Sequence, residues 1–380
     1  MKVLFVINNF HSKGNGLSAS ARRNVKELTK RGIEVKVLSG PNPKEGGRNP
    51  EFMLENFNMP IFNPLIKKQG YQFAKTNKRI IKEAVSWADV IHIEEPFNIQ
   101  IATVKIAKKL HKPCVASYHL HPENLFSSVR LAKFKILNVA LLLFWRDFIF
   151  NKCKIIHCPT ENVKERLIRH HFKSELRVFS NGLVSRDLIQ KEKPLKMNYY
   201  QIIMIGRLSY EKDPITLLKA MKYSKYKDRI RIVYAGRGPL YKKLRKLADK
   251  YYKKGIIKHE VEIAFHNLEE LQKIAVGSDI YVHAADVEVE GLSCMEAIQT
   301  GLLPIIATSP LSATAQFALS DMNKFKAHNA KDLAAKIDYW LEDNHRRNEE
   351  ALKYVNIGKE YDIDSSINEL INMYKDAIEN

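Results

Sequence analysis

The sequence of 380 residues contains few cysteines, no long apolar run and fewer acidic than basic residues. Its four cysteines lack the spacing of zinc ligands, which argues against zinc modules and is typical of free thiols in a cytosolic protein. No apolar run reaches the ~20 residues that a membrane-spanning helix needs. The apolar N-terminal run is not followed by a cleavage region, so we predict a cytoplasmic protein without a signal peptide.

The shortage of acidic residues gives the chain a strong positive charge. Lys and Arg total 62 against 42 Asp and Glu, for a formal net charge of +20. Such an excess attracts nucleic acid or an anionic membrane surface, although a lysine-rich proteome would produce the same imbalance. A nucleic-acid-binding protein would show a recognition motif and steep salt dependence of binding. The sequence contains no such motif, so we expect no nucleic-acid partner.

Alternation of short apolar runs with amphipathic helical segments organises the whole chain. One such series starts at Val3 and a second starts at Gln201. This pattern predicts an α/β fold with two Rossmann-like domains. We expect the first domain to comprise residues 1–182, joined by a C-terminal helix within 356–380, and the second to comprise 183–355. Strands are predicted at 3–7, 33–38, 90–93, 113–118, 155–158, 176–179, 202–205, 231–235, 261–265, 280–283 and 303–307, and helices at 18–30, 71–87, 99–110, 161–170, 268–276, 331–341, 346–355 and 363–378.

Two glutamates separated by seven residues mark the most informative stretch. Glu288 follows an apolar strand, and Glu296 lies in the helix that comes next. At the start of that helix the backbone N–H groups of Gly291, Leu292 and Ser293 form an anion site. One carboxylate beside the anion is placed for sugar hydroxyls and the other for ribose hydroxyls. The combination suits a nucleotide diphosphate sugar.

Two cations follow the first strand of the second series. They are Arg207 and Lys212, in the segment Gly206-Arg207-Leu208-Ser209-Tyr210-Glu211-Lys212. After the next strand comes the turn Gly236-Arg237-Gly238-Pro239, whose glycines permit close approach of the backbone.

These motifs together resemble the signature of the family 4 glycosyltransferases, which are retaining enzymes of the GT-B fold. The resemblance covers nearly the whole chain and is strongest from Gly206 to Pro304. It implies two Rossmann-like domains that face a cleft, with a C-terminal helix that crosses back to the first domain. The chain departs from the family at His266-Asn267, where relatives usually have a glycine, so the nucleotide contacts there stay open.

The resemblance also implies roles for individual residues in sugar transfer. Arg207, Lys212 and the amides after Glu290 would stabilise the leaving diphosphate, Glu296 would bind the ribose, and Glu288 would bind donor sugar hydroxyls. His119, which follows the strand 113–118, would hold the sugar near its anomeric carbon. A donor phosphate oxygen would take the acceptor proton on the same face. The implied donor-contact residues are Gly14, Gly16, Gly206, Arg207, Lys212, Gly236, Gly238, Glu288, Gly291, Leu292, Ser293 and Glu296.

The donor is expected to be UDP-linked, because UDP-glucose and UDP-galactose are common sugar donors. We expect no cofactor and no metal site, since Arg207 and Lys212 already supply positive charge. The loop that contains Gly14 and Gly16 would reach the donor, or it is simply a flexible loop. A nucleotide-sugar epimerase that shares the two-domain fold is the alternative enzyme, and the spacing of the glutamates argues against it.

Residues 127–153 interleave cations with apolar and aromatic side chains. Their core from Val139 to Trp145 is too short to span a bilayer. Two interpretations remain open, a helix buried in the protein core or an interfacial helix that docks on anionic lipid. With the basic cluster from Lys67 to Lys82, the second interpretation predicts a peripheral protein at the inner face of the cell membrane. The acceptor would then be a lipid, a lipid-linked glycan or another glycan.

Overall fold

The chain forms two compact α/β units, each of which contains a parallel sheet. The computed structural model describes residues 1–12, 16–44, 47–57, 72–127, 134–184 and 198–379. The first unit comprises residues 1–122, 134–182 and 363–380, and the second comprises 123–133 and 183–362. The chain returns to the first unit at Ile363 rather than at residue 356, because the helix Asn344–Glu360 packs on the helix Leu292–Gln299 inside the second unit.

The first sheet places its strands in the order β3-β2-β1-β4-β5-β6-β7, and each neighbouring pair runs parallel. Strands β4 and β5 are buried at every position, as expected for strands covered on both faces of a parallel sheet. Since β4 and β5 are neighbours, the residues that follow them meet at one edge. The strands are β1 (Lys2–Val6), β2 (Glu34–Ser39), β3 (Phe52–Met53), β4 (Val90–Ile93), β5 (Cys114–Ser117), β6 (Ile155–Cys158) and β7 (Glu175–Val178).

One predicted helix of the first unit begins later than expected. Instead of starting at residue 71, it starts at Lys78, because the side chain of Asn77 accepts hydrogen bonds from the N–H groups of Arg79 and Ile80 and caps the helix there. The C-terminal helix packs its apolar face on this sheet, which confirms the predicted crossing back. The helices are α1 (Gly16–Lys30), α2 (Lys78–Trp87), α3 (Asn98–Lys109), α4 (Pro122–Ser127, grouped with the second unit), α5 (Lys135–Phe148), α6 (Glu161–Arg169) and, at the C-terminus, α13 (Ile363–Glu379).

The second unit repeats the same layered arrangement. Its sheet has the order β10-β9-β8-β11-β13-β15, and β12 pairs with β14 beside it. The strands are β8 (Tyr200–Ile205), β9 (Ile230–Ala235), β10 (Glu262–Ala264), β11 (Ile280–His283), β12 (Val287–Glu288), β13 (Leu303–Thr308), β14 (Leu311–Ser312) and β15 (Lys324–Lys326). The helices are α7 (Pro214–Ala220), α8 (Tyr241–Lys253), α9 (Leu268–Val276), α10 (Leu292–Gln299), α11 (Ala330–Glu342) and α12 (Asn344–Glu360).

Helix α5 lies half in the core and half on the surface. Asn138, Leu142 and Trp145 are buried, whereas the other side of the helix exposes large apolar side chains. For α5, the interpretation of residues 127–153 as a buried core helix therefore holds on one side of the helix and fails on the other. None of the helices in the described part of the chain is long and apolar enough to cross a membrane. The exposed apolar side chains at this helix are Phe134, Ile136, Leu137, Val139, Phe144 and Phe148.

Candidate functional site

Backbone packing between two loops fixes the part of the site that contains Arg207. Gly206 follows β8 with a φ of +133°, which favours glycine. Gly236 follows the neighbouring β9, and a Cβ atom there would lie 1.8 Å from the carbonyl oxygen of Gly206. Only glycine at position 236 therefore allows the two loops to approach, and this approach sets where Arg207 leaves the sheet.

Arg207 is a largely buried cation with an unused donor. Its Nη2 atom is buried and has no hydrogen-bond partner within the described residues. Burial lowers the pKa of Arg207, while the nearby Glu211 opposes that shift. A buried donor on a cation is costly unless it is satisfied, so this position favours binding of an anionic ligand.

Lys212 and Glu288 contact one another directly. The ammonium of Lys212 forms an ion pair with Oε2 of Glu288, and Nε2 of His283 lies 3.6 Å from the same oxygen. Burial lowers the pKa of Lys212 to about 8, and Arg207 adds to the lowering, whereas Glu211 opposes it. The structure thus brings together the cation predicted for the diphosphate and the carboxylate predicted for the sugar. Their direct contact was not predicted from the sequence.

Helix α10 begins where the sequence predicted an anion site. Gly291 precedes it with a φ of +95°, and a Cβ atom there would lie 2.1 Å from Cγ2 of Thr314. The first turn leaves the N–H groups of Leu292 and Ser293 without partners inside the helix. Glu296 lies in the same helix and is half-buried.

A polar network lies beneath this helix start. The Tyr281 hydroxyl lies 2.8 Å from Nδ1 of His283 and 3.2 Å from the hydroxyl of Ser293. It therefore links the first turn of α10 to the histidine beside Glu288.

The remaining predicted donor-contact glycines differ in their surroundings. Gly238 allows close packing, because a Cβ atom there would lie 2.3 Å from the carbonyl oxygen of Leu208. Gly16 begins α1, and a Cβ atom there would meet no atom of the described residues within 4 Å, so their packing does not require glycine at that position. Gly14 lies outside the described residues. The donor-binding roles of these residues stay predictions.

His328 ties together the loops that carry Lys212 and Glu288. Its Nδ1 lies 2.8 Å from Oδ2 of Asp213, and its Nε2 lies 3.2 Å from Oδ2 of Asp286. The hydrogen bonds to Asp213 and then to Asp286 raise the pKa of His328 to about 10. The sequence analysis missed this bridge, because His328 lies far along the chain from both carboxylates.

Replacing His328 with Asn is expected to destabilise the second unit more at pH 6 than at pH 10. Because the pKa of His328 is raised in the folded state, its contribution to stability is full below the unfolded value of about 6.5 and is lost as the pH rises through about 10. Asn suits the left-handed backbone at this position, where φ is +63°. Thermal unfolding of both proteins across this range is the measurement, and a constant difference between them would contradict the ion-pair account.

In the first unit, His119 follows β5 and contacts a buried carboxylate. Its Nε2 lies 3.0 Å from Oε2 of Glu94, the residue that follows β4. Both side chains are buried, and the sequence analysis missed Glu94 although it stands at the carboxyl end of a strand. Within the described residues, no group of three or more His, Cys, Asp or Glu side chains is arranged to hold a metal ion. Metal independence stays a prediction.

Two family models together match nearly the whole chain. The model described as Glycosyltransferase Family 4 matches residues 14–185, and the model described as Glycosyl transferases group 1 matches residues 185–360. The chain belongs to the family 4 glycosyltransferases. The sequence-based assignment of the enzyme class and of the GT-B fold is therefore confirmed.

Several known proteins are similar to this glycosyltransferase. Alpha-monoglucosyldiacylglycerol synthase of Streptococcus pneumoniae is 23% identical over 328 residues, which cover 81% of this chain and 71% of that protein. The catalytic domain of cholesterol-alpha-glucosyltransferase from Helicobacter pylori is 44% identical and covers 43% of this chain and 98% of that chain, with a TM-score of 0.40. Anabaena HepE, solved with UDP and glucose, is 15% identical, covers 98% of both chains and has a TM-score of 0.73, which shows the shared fold.

Proposed function

We propose that this glycosyltransferase transfers a hexose, with retention of anomeric configuration, from a UDP-sugar to a lipid or lipid-linked acceptor at the cytoplasmic face of the membrane. The observation that carries the donor part is the largely buried guanidinium of Arg207, whose Nη2 atom has no partner within the described residues, near the half-buried ammonium of Lys212. Two neighbouring cations and the amides in the first turn of α10, which have no partner inside the helix, are suited to a diphosphate whose charge increases as the glycosidic bond breaks.

The proposed mechanism assigns each side chain a separate task. Arg207 and Lys212 stabilise the UDP leaving group, and Glu296 holds the ribose. Glu288 holds hydroxyls of the donor sugar, and His119 holds the sugar near its anomeric carbon. Donor binding has to redirect Lys212 from Glu288 toward phosphate oxygens, because the two side chains contact one another in this structure.

A phosphate oxygen of the donor accepts the proton of the acceptor hydroxyl in this proposal. The acceptor oxygen bonds to the anomeric carbon on the face from which UDP leaves. The products are the glycosylated acceptor and protonated UDP, so atoms and charge balance without a metal ion.

The lipid acceptor is supported by the exposed face of α5. Phe144 and Phe148 stack on one another at the surface with ring centroids 4.5 Å apart, and Ile136 is 85% exposed. Lysines accompany these rings, since Nζ of Lys152 lies 5.4 Å and Nζ of Lys105 5.9 Å from the ring centroid of Phe148. Apolar side chains framed by cations suit the boundary between anionic headgroups and acyl chains.

Membrane binding through α5 is expected to need both apolar and electrostatic contacts, because each single contact contributes little free energy. Insertion of apolar groups contributes about 0.8 kcal/mol per buried CH₂, and each Lys or Arg near an anionic surface contributes about 1 kcal/mol. Binding should therefore depend on anionic lipid and fall with salt. The S. pneumoniae relative is named as a monoglucosyldiacylglycerol synthase, which also supports a lipid acceptor for this chain.

The first experiment tests donor and acceptor together. Purified protein is incubated with a panel of UDP- and GDP-sugars and with diacylglycerol in vesicles that either contain or lack phosphatidylglycerol. We expect transfer from a UDP-hexose that requires diacylglycerol, increases with phosphatidylglycerol and is lost in Glu288→Ala. Turnover of no nucleotide sugar would overturn the proposed donor chemistry. Transfer that ignores vesicles would overturn the membrane acceptor but leave the donor part intact.

Two serine variants separate membrane docking from catalysis. Phe144→Ser should reduce vesicle binding and vesicle-dependent transfer while leaving slow hydrolysis of the donor unchanged. Leu352→Ser is the matched control, because Leu352 is a 67% exposed apolar residue on α12 in the second unit. Equal effects of the two substitutions would argue against docking through α5.

A further inference from the structure

A buried carboxylate with no role in the mechanism above lies against His119. Glu94 follows β4, its side chain is fully buried, and its Oε2 lies 3.0 Å from Nε2 of His119. Its other oxygen lies 3.5 Å from Nε2 of His92. We propose that Glu94 is a positioning residue that keeps the proton of His119 on Nε2 and holds the ring in its orientation for the donor sugar. The inference rests on the proposed function, because it requires that His119 contacts the donor.

The hydrogen bonds of His92 and His157, the other two histidines near Glu94, have one consistent direction. The carbonyl of Phe179 can only accept, so Nε2 of His157, 2.7 Å away, donates to it. Nδ1 of His157 then accepts from the hydroxyl of Ser117 at 3.0 Å, and that hydroxyl accepts from Nε2 of His92 at 2.8 Å. Nδ1 of His92 is left to accept from the hydroxyl of Tyr374 at 2.7 Å. This assignment places an N–H group of His92 on the side of Glu94.

The charges in this network identify His119 as the partner that Glu94 acts on. Burial lowers the pKa of His157 to about 3 and that of His92 to about 4, so both rings are neutral near pH 7. Burial alone would raise the pKa of Glu94, but its histidine neighbours, among which His119 makes the shortest contact, hold the carboxyl below its usual range. An ionised carboxylate can only accept hydrogen bonds. A proton on Nε2 of His119, which lies 3.0 Å from this carboxylate, is therefore favoured.

A defined tautomer matters for the chemistry of His119. With Nε2 held by Glu94, Nδ1 is the ring nitrogen that Glu94 leaves for other partners. A carboxylate that fixes a histidine through its second nitrogen is a common way to orient a functional imidazole. Helix α13 supports the arrangement from the opposite side, because Tyr374 in that helix binds His92. The C-terminal helix thus reaches the network beneath His119.

Glu94→Gln tests the assignment with little change in shape. A glutamine amide can donate as well as accept, so it no longer dictates which nitrogen of His119 is protonated. Nitrogen-15 NMR of the histidine side chains, assigned with His119→Gln, should show the Nε2–H tautomer in the wild type and a changed tautomer signal for His119 in Glu94→Gln. With donor and diacylglycerol vesicles, kcat should fall by about 10- to 100-fold, by analogy with the loss when the partner that orients a metal-ligating histidine is removed. The KM for the donor should change by less than about threefold.

Tyr374→Phe is the control for a purely structural effect. It removes a hydrogen bond from the same network but leaves Glu94 and His119 in place. We expect a lower thermal midpoint with the His119 signal and kcat retained. An unchanged His119 signal in Glu94→Gln, or an equal loss of kcat in Tyr374→Phe, would overturn the inference. Failure of the proposed function is separate, because it appears as absence of sugar transfer by the wild type and leaves the NMR comparison intact.

Discussion

Replacing Arg207 with Met is expected to lower kcat for sugar transfer by about 10²–10³-fold, the usual result of removing one preorganised donor that stabilises developing charge. The physical reason is the position of this side chain. Its guanidinium is largely buried and Nη2 is unsatisfied, so the site is already arranged to bind an anion. Because little water surrounds the guanidinium, its attraction to the negative charge of the transition state is only weakly screened. Steady-state kinetics with the active UDP-hexose would measure the loss.

Two further variants make the result of Arg207→Met specific. Arg207→Lys keeps a positive charge but loses the two-pronged geometry of the guanidinium, so it should recover only part of kcat. Lys219→Met makes the same change of charge at an exposed position on α7 and should retain wild-type activity. A loss in Lys219→Met as large as that in Arg207→Met would indicate a general effect of charge. Full activity of Arg207→Met would exclude Arg207 from the donor site.

Replacing Gly236 with Ala is expected to destabilise the second unit and to remove most of the activity. The added methyl group would lie 1.8 Å from the carbonyl oxygen of Gly206. Because this oxygen belongs to the backbone, no side-chain rotation can relieve the clash. Overpacking of this kind costs typically 1–3 kcal/mol. The loop before Arg207 has to move, and a displacement of about 1 Å in a positioned group is enough to cost on the order of 100-fold in rate.

The control for Gly236→Ala is the same substitution at Gly277. A Cβ atom at Gly277 would lie 3.5 Å from the nearest atom, which is an ordinary van der Waals contact, and the residue has a negative φ. Thermal unfolding and kcat should therefore stay close to wild type in Gly277→Ala. If Gly236→Ala retained both its thermal midpoint and its activity, the close packing of the two loops would not be what positions Arg207.

The motifs of the second half show which features of the candidate site can be predicted from contiguous sequence. Arg207 and Lys212 stand five residues apart, and Glu288 stands just before the helix whose first turn was predicted from Gly291. Their chemistry is recognisable because each motif is contiguous and sits at the end of an apolar strand. The contact of Lys212 with Glu288 joins two such motifs and depends on the packing of β8 beside β11, which no local pattern specifies.

Less of the structure of the first half could be predicted from the sequence. Helix α5 contains enough apolar residues for a core helix, and only the packed structure shows that Asn138 is buried while Ile136 is exposed. Glu94 directly follows the strand pattern of β4, and the rule that ligands bind at the carboxyl ends of parallel strands was the available signal for it. That rule gives an edge of the sheet but not a partner.

The sequence by itself determined the alternating α/β order, because periodicity and turn residues are properties of neighbouring positions. Its contiguous motifs also carried the family resemblance from which the enzyme class was predicted. Only the tertiary structure decided that Glu94 meets His119, that His328 bridges Asp213 and Asp286, and that one face of α5 stays exposed. Each of these depends on which strands and loops pack together. Such contacts depend on many weak hydrophobic and van der Waals interactions spread over the whole unit. No short segment of the chain includes all of these interactions.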